Sequence, residues 1–187
     1  GFPTMGRAPD ALGGASKLVA LKVVDTGYPL RGSLRVAPAP EAPGQPTREV
    51  PAPGEAWVDA PLLDALGLKM GDALMLGDVS LRIGRIIVTE PDRGAGFMSF
   101  APRVMINQAD IAATRLVQPA SRLNYRFAVA GADRPVREFA QWADAEVKKP
   151  EVRGVRVESM ESGRPEMRQT LDRAEKFLNL VALLSAL

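Results

Sequence analysis

The carboxylates Glu90 and Asp92 come nearest to a catalytic pair in this sequence, and Pro91 separates them. Acid–base hydrolysis or an oxygen-ligated metal would need two such neighbouring carboxylates, and proline favours an extended chain between them. The alternating acidic ligands of a calcium-binding loop are missing around the pair. Two acids at the end of a predicted strand are typical of a solvated turn, which is what we expect here. The alternative, a soluble carboxylate-dependent hydrolase, predicts that one of the two lines a closed pocket.

Other routes to catalysis have little support in the sequence. The chain contains neither histidine nor cysteine, which excludes Ser-His and Cys-His nucleophiles, ordinary zinc sites and thiol redox centres. The glycine-rich segment 13–17 (GGASK) lacks the spacing of a phosphate-binding loop and precedes a predicted strand instead of a helix. We therefore predict no bound cofactor, no metal site and no enzymatic activity.

The charge of the chain gives no sign of nucleic-acid binding. It carries 24 basic and 22 acidic residues, a net charge of +2, and the basic residues form no block. Only two Trp, two Tyr and six Phe are available for stacking on bases. The absence of cysteine fits an oxidising compartment such as the periplasm.

The elements that would position these residues fall into two groups. Before residue 103 the pattern predicts strands, one short helix that ends at Gly67, and a hairpin around the turn Gly77-Asp78 with a bulge at Gly84. The predicted strands are residues 17–25, 32–36, 56–59, 74–76 and 79–89, the helix is 61–66, and the proline-rich segment 37–54 is an extended connector. After residue 103 strands and helices alternate, with strands at 103–106, 122–130 and 155–157 and helices at 108–115 and 136–147.

This order predicts an α+β fold with two lobes. A strand-helix-strand lobe, of the porter-like kind, would consist of residues 1–30 and 103–163. A β-rich lobe would be inserted at residues 31–102. Residues 164–187 would form a separate terminal helix.

Three large apolar residues, Phe97, Met98 and Phe100, lie in the glycine-rich loop 90–102. They could pack over the adjacent sheet, as satellite clusters under loops commonly do. They could instead form an exposed contact surface for a lipid, a substrate or a protein partner. The sequence leaves both interpretations open.

The end of the chain carries the strongest physical pattern. From Met167 apolar residues recur at alternating spacings of four and three, and up to Lys176 charged residues occupy the other faces. The run from Phe177 to Leu187 has no charge, and a helix that is apolar all round is deeply buried or lies in lipid. We predict a stalk helix that becomes the start of a transmembrane helix. The residues at this membrane entry are Leu171, Ala174, Phe177, Leu178, Val181 and Leu184.

Six segments, in order and over most of the chain, resemble the extracytoplasmic core domain of the MacB/FtsX-like ABC transporter permeases, and among these the YbbP-like branch. They are LKVVDTGYPLRG (21–32), LGLKMGD (66–72), IVTEPD (87–92), FAPRVMIN (100–107), LVQPASR (116–122) and AEKFLNLVALL (174–184). The resemblance implies a domain between the first and second transmembrane helices of a permease, on the periplasmic side of the bacterial inner membrane. It also implies a further strand and helix ahead of Gly1, so that the porter-like lobe lacks its N-terminal strand.

The resemblance further implies a function and partners. A cytoplasmic ABC ATPase subunit would hydrolyse ATP, and the periplasmic domain would couple that work to the extraction, release or export of a hydrophobic, lipid-like substrate. A second permease domain of the same fold and a periplasmic lipase- or esterase-like protein would be further partners. The alternative is a periplasmic sensor or protein-docking module on a membrane helix, which predicts a signalling domain downstream in place of more membrane helices.

Overall fold

The computed structural model describes residues 1–93, 100–119, 121, 123–158 and 177. It divides into two units, Gly1–Ala128 and Val129–Leu187. Strands and helices are both present, and the predicted α+β class is confirmed.

The first unit contains eight strands and two α-helices among its described residues. The strands are β1 (Phe2–Arg7), β2 (Ser16–Val24), β3 (Leu34–Ala37), β4 (Gln45–Thr47), β5 (Glu55–Val58), β6 (Ala73–Leu76), β7 (Val79–Thr89) and β8 (Arg103–Asn107). The helices are α1 (Ala60–Leu66) and α2 (Ile111–Thr114), and single 3-10 turns cover Asp10–Leu12 and Gln108–Asp110.

All eight strands belong to one sheet, in the order β4-β3-β7-β5-β8-β2-β1-β6, and β6 also pairs with β7. The second pairing closes six of the strands (β1, β2, β8, β5, β7 and β6) into a ring. The long strand β7 closes the ring, because it pairs with β6 over residues 79–82 and with β5 over 82–86. Its last residues, 86–89, pair with β3 outside the ring. Closure leaves no open edge among these six strands.

The predicted bulge at Gly84 is confirmed. Along β5 the partner of Ala56 is Ile83 while the partner of Trp57 is Arg85, so Gly84 is the extra residue. A β-carbon at Gly84 would stand 1.6 Å from Oε1 of Glu55, which explains why the sequence has glycine at this bend.

Both faces of the central strand β5 are buried. Ala56 and Val58 belong to one apolar cluster, which also contains Leu62, Leu63 and Leu66 of α1. Trp57 points to the opposite face and lies in a second cluster with Val24, Leu34, Val36, Ile87 and Met105. Burial on two faces accounts for the apolar character of β5 and β8.

Several local predictions are confirmed: the strands 17–25, 32–36, 56–59 and 103–106, the helix 61–66 with Gly67 as its left-handed cap, and the hairpin around Gly77-Asp78. Asn107 caps the helical turn after β8 by accepting a hydrogen bond from the amide of Ala109. Two strands were not predicted. One is β1, and the other is β4, which has Pro46 and lies at the end of the strand order, where a missing amide donor is tolerated.

The predicted strands at 122–130 and 155–157 are wrong, because the described residues there have no regular structure. Tyr125 and Phe127, which would share one face of the predicted strand 122–130, are 86% and 88% exposed. A strand needs a partner that satisfies its backbone groups, and alternation of side chains alone does not supply one.

The predicted lobe boundaries near residues 31 and 103 stay a prediction. Strands from both sides of them share the one sheet, since β2 pairs with β8 and β8 with β5.

The second unit contains α3 (Asp133–Val147), which confirms the predicted helix at 136–147. Its residues are at most partly buried, Phe139 and Trp142 lie with ring centroids 5.6 Å apart, and Arg134 pairs with Glu138 across one turn. Among the described residues, no helix is both long and apolar enough to cross a bilayer. The predicted membrane-entry residues lie outside the described part of the chain, except Phe177, which is 66% exposed.

Candidate functional site

Charged side chains from five parts of the first unit meet beside the ends of β7 and β8. Three cations, three carboxylates and one phenol form what we call the ion-pair network. Its members are Lys22 in β2, Tyr28 after β2, Asp59 between β5 and α1, Glu90, Asp92 and Arg93 after β7, and Arg103 at the start of β8.

Glu90 is the centre of the network. Its side chain is fully buried, and its two carboxylate oxygens are bound by different cations. Oε1 accepts a hydrogen bond from Nζ of Lys22 at 2.6 Å, and Oε2 accepts one from Nε of Arg103 at 2.8 Å. A buried carboxylate needs such partners, because an unpaired buried ion costs several kcal/mol of folding free energy.

Lys22 is a charged residue within the apolar strand β2, and it makes the largest number of contacts in the network. Its ammonium donates to Tyr28 at 2.9 Å, to Glu90, and to both oxygens of Asp92 at 2.7 and 2.8 Å. It also lies 4.3 Å from the centre of the Tyr28 ring, within the range of a cation–π contact. Tyr28 in turn donates its hydroxyl proton to Asp92 at 2.5 Å.

Asp59 joins the network to the beginning of α1. Both its oxygens bind the guanidinium of Arg93, at 3.2 and 2.7 Å, and Oδ2 also accepts the backbone amide of Arg103 at 2.9 Å. Asp59 occupies the N-cap position of α1, but its side chain makes no capping hydrogen bond there. Its carboxylate is committed to the loop between β7 and β8 instead.

The network shifts the pKa values of its outer members. Burial by itself would raise the pKa of Asp92, but the hydrogen bonds from Lys22 and Tyr28 outweigh it and hold that pKa below the usual range. Burial, followed by the hydrogen bond to Asp92 and the charges of Asp92 and Glu90, raises the pKa of Tyr28. The bidentate hydrogen bonds to Asp59 raise the pKa of Arg93 against the opposing effect of burial.

We expect Tyr28 to make the fold sensitive to alkali. Its folded-state pKa lies above the unfolded value of about 10, so its contribution to stability is complete below that pH and is lost as the pH rises above it. The chain has two tyrosines, and Tyr125→Phe leaves Tyr28 as the single reporter. In that variant, tyrosinate absorbance should rise only together with loss of the fold. A reversible rise in a folded protein near the ordinary tyrosine pKa would contradict this.

The arrangement leaves little chemistry for the carboxylates to do. Every carboxylate oxygen of the network has a donor, and no buried side-chain nitrogen or oxygen among the described residues lacks a partner. Among the same residues, no group of three acidic side chains is placed to hold a metal ion. The expectation of a solvated turn is wrong for Glu90, whose side chain is buried and bound to Lys22 and Arg103. It holds in part for Asp92, which lies in a turn with its side chain 44% exposed but is also bound to Lys22. The hydrolase alternative requires one of them to line a closed pocket. An open groove of about 290 Å³ among the described residues is lined by Phe2, Pro3, Thr4, Leu116, Ser121 and Leu123, and neither carboxylate is among them.

Sequence reasoning found Glu90 and Asp92 but missed the other members of the network. Lys22 and Glu90 are 68 positions apart, and Tyr28 and Asp92 are 64 apart, so no local pattern joins them. The one signal in the sequence was a lysine in the middle of the apolar run LVALKVV, where an unpaired charge would be costly.

The predicted contact residues lie in the segment that the network borders. Phe100 is 88% exposed, three residues before Arg103. Phe97 and Met98 lie outside the described residues. Of the three residues, only Phe100 can therefore be compared with the two interpretations. Its side chain is exposed and does not pack over the sheet.

The chain is 34% identical, over 186 residues, to the protein YbbP of Escherichia coli (strain K12), described as an uncharacterized ABC transporter permease. The alignment covers this whole chain and 21% of YbbP, so the chain spans about a fifth of the length of that relative. None of the protein-family profiles compared with the chain matches it. The resemblance to the YbbP-like branch, predicted from the six segments, is confirmed.

Proposed function

Since the whole chain is related to one segment of an ABC transporter permease, we propose that it is the extracytoplasmic domain of such a permease in a bacterial inner membrane. The observation that carries the proposal is the 34% sequence identity to YbbP, which extends along the whole chain and is not confined to one motif. The chain would face the periplasm, and a cytoplasmic ABC ATPase subunit would supply the energy.

In this proposal the domain transmits force and catalyses no reaction. The ring of six strands supports that role, because its edges are paired and both faces of β5 are buried, so that a displacement at one end is passed on through a close-packed body. The carboxylates that would be needed for hydrolysis are held by cations in the ion-pair network. The stalk predicted at residues 164–187 would connect the domain to the membrane.

The substrate in this proposal is hydrophobic or lipid-like. Phe100 supports this substrate class, because its side chain is exposed to water. Covering that side chain with an apolar ligand would contribute about 2 kcal/mol of favourable binding free energy. With Phe97 and Met98 it would form the contact surface. A second permease domain of the same fold and a lipase- or esterase-like periplasmic protein are further proposed partners.

The orientation can be tested with single cysteines, because this chain has none of its own. In the full-length permease, Glu41→Cys places a thiol at an exposed position, and Ala56→Cys places one at a position with 0% exposure. In spheroplasts, a membrane-impermeant maleimide should label the first variant, and it should label the second only after denaturation. The parent protein without either substitution shows the background.

Labelling of Glu41→Cys only after the membrane is broken would place the domain in the cytoplasm and overturn the proposal. A copurifying ABC ATPase is expected with the full-length protein. A signalling domain downstream in the same polypeptide, in place of further membrane helices, would support the sensor alternative instead.

A further inference from the structure

Residues 25–54, which link β2 to β5, lie over one face of four ring strands, and we call this segment the cover. It contains β3 and β4, which lie outside the six-stranded ring. Four apolar residues of neighbouring ring strands form the surface beneath it: Ile87 of β7, Trp57 of β5, Met105 of β8 and Val24 of β2. The cover packs on this surface with four residues of its own: Tyr28, Leu34, Val36 and Val50. The second apolar cluster is therefore an interface between the ring and a single chain segment.

The cover has few of the contacts that stabilise the ring. The structure describes all of its residues, and five of them are buried: Pro29, Leu34, Val36, Ala37 and Pro51. Seven of its residues are prolines, which donate no backbone hydrogen bond. Among the described ring strands, β7 alone pairs with it, over residues 35–37 of β3, and the register shifts within that pairing. A segment with few buried residues and few backbone hydrogen bonds belongs to the least stable part of a structure.

Polar contacts hold the two ends of the cover to the ring. At the first end, the hydroxyl of Tyr28 accepts a hydrogen bond from Lys22 and donates one to Asp92. At the second end, the carbonyl of Pro51 accepts a hydrogen bond from the side-chain amide of Asn107 at 2.8 Å. The ring itself has no need of these contacts, because its six strands pair with one another.

We propose that the cover opens as a unit while the six-stranded ring stays folded, and that Tyr28 holds it closed. Opening uncovers a continuous apolar surface on four neighbouring strands. Trp57 and Met105, which are direct cross-strand partners, lie at the centre of that surface. This conformational change goes beyond the proposed function and requires no ligand.

Two neighbouring residues of β8 can test whether the ring survives opening. Met105 lies under the cover, Ile106 lies in the apolar cluster on the opposite face, and both are 0% exposed. Met105→Cys and Ile106→Cys each introduce one thiol into a 187-residue chain that has none. The rate of maleimide labelling, divided by the rate for the same variant unfolded in urea, gives the fraction of molecules in which the thiol is accessible.

For Met105→Cys, this accessible fraction should be at least about tenfold larger than the unfolded fraction that urea titration gives for the same variant. For Ile106→Cys the two fractions should agree, because its thiol is reached only when the ring unfolds. Each variant is compared with its own stability, so a destabilising effect of the cysteine does not alter the test. Agreement of the two fractions in Met105→Cys would overturn the proposal.

Two further substitutions test which contacts break on opening. Tyr28→Phe removes the hydroxyl and should speed labelling of Met105→Cys by about tenfold, because hydrogen bonds to charged groups are strong. Ile83→Val alters the apolar cluster on the other face, so it should speed labelling of Ile106→Cys by roughly twofold to tenfold and leave Met105→Cys unchanged. Tyr125→Phe, at an exposed position, is the control and should change neither rate.

Unchanged labelling of Met105→Cys in the Tyr28→Phe background would reject the role of Tyr28. Faster labelling of Met105→Cys in the Ile83→Val background would show that the ring opens with the cover, against the proposal.

Amide hydrogen exchange of the unmodified chain repeats the test without a substitution in the cluster. The amides of β3 and β4 should exchange at least about tenfold faster than the slowest amides of β5, which pairs with ring strands on both sides. Equal protection of β3 and β5 would contradict separate opening of the cover, even if Met105→Cys failed to fold.

Discussion

Replacing Glu90 with glutamine is expected to lower the free energy of unfolding of the first unit by about 3–5 kcal/mol, the range found when one partner of a buried ion pair is removed. Glutamine fills nearly the same volume, so the loss reports charge and not packing. Lys22 would keep Asp92 as a partner. Arg103 would keep the backbone amide contact to Asp59 but lose its carboxylate partner in a position where its side chain is 11% exposed.

Glu49→Gln is the matched control for Glu90→Gln. Glu49 also pairs with an arginine, Arg85, at 2.6 Å, but its side chain is 65% exposed and the pair lies at the surface. Its loss should cost about 0–1 kcal/mol. Equal costs for the two variants would show that the network contributes no more than a surface pair.

Urea unfolding should be followed in a Trp142→Phe background. The chain has two tryptophans, one in each unit, and Trp57 is 2% exposed in the second apolar cluster. With Trp142 removed, tryptophan fluorescence reports the first unit alone, which matters because two units need not unfold together.

Replacing Gly77 with alanine is expected to destabilise the first unit by roughly 3 kcal/mol or more, through strain and a backbone clash. Gly77 begins the turn between β6 and β7 with φ of +56°, and Asp78 is not among the residues of positive φ, which is the arrangement of a type II′ turn. A β-carbon there would stand 2.0 Å from the carbonyl oxygen of Thr114. That oxygen accepts the amide of Asp78 at 3.0 Å, so relief of the clash would break the hydrogen bond that joins the hairpin to the end of α2.

Gly67→Ala separates the two contributions. Gly67 has φ of +65°, close to that of Gly77, but a β-carbon there meets nothing within 4 Å. It should therefore show the cost of the left-handed conformation alone, about 1–2 kcal/mol. If Gly77→Ala cost no more than Gly67→Ala in the same unfolding measurement, the contact between the hairpin turn and Thr114 would have no energetic weight.

Patterns within a few residues predicted much of the secondary structure. The turn Gly77-Asp78 and the cap at Gly67 depend on the positive φ that glycine tolerates, and the bulge at Gly84 depends on the missing β-carbon. Each glycine stands beside apolar residues and can be recognised in a short window. Residues 122–130 had an equally clear pattern and form no strand in the described part of the chain. The difference is that a turn or cap is satisfied by its own neighbours, whereas a strand depends on a distant partner.

The sequence by itself determined the α+β class, the relationship to the YbbP-like permeases and the two carboxylates beside Pro91. Only the tertiary structure decided what those carboxylates do. It brings Lys22 and Arg103, from strands that pair side by side, to the two oxygens of Glu90. Glu90 is therefore a buried ion, while Asp92 stays partly exposed in the turn. The physical reason is that a charge can be buried only where opposite charges meet it, and where they meet is set by the pairing of β2 with β8, over 80 residues apart in the chain.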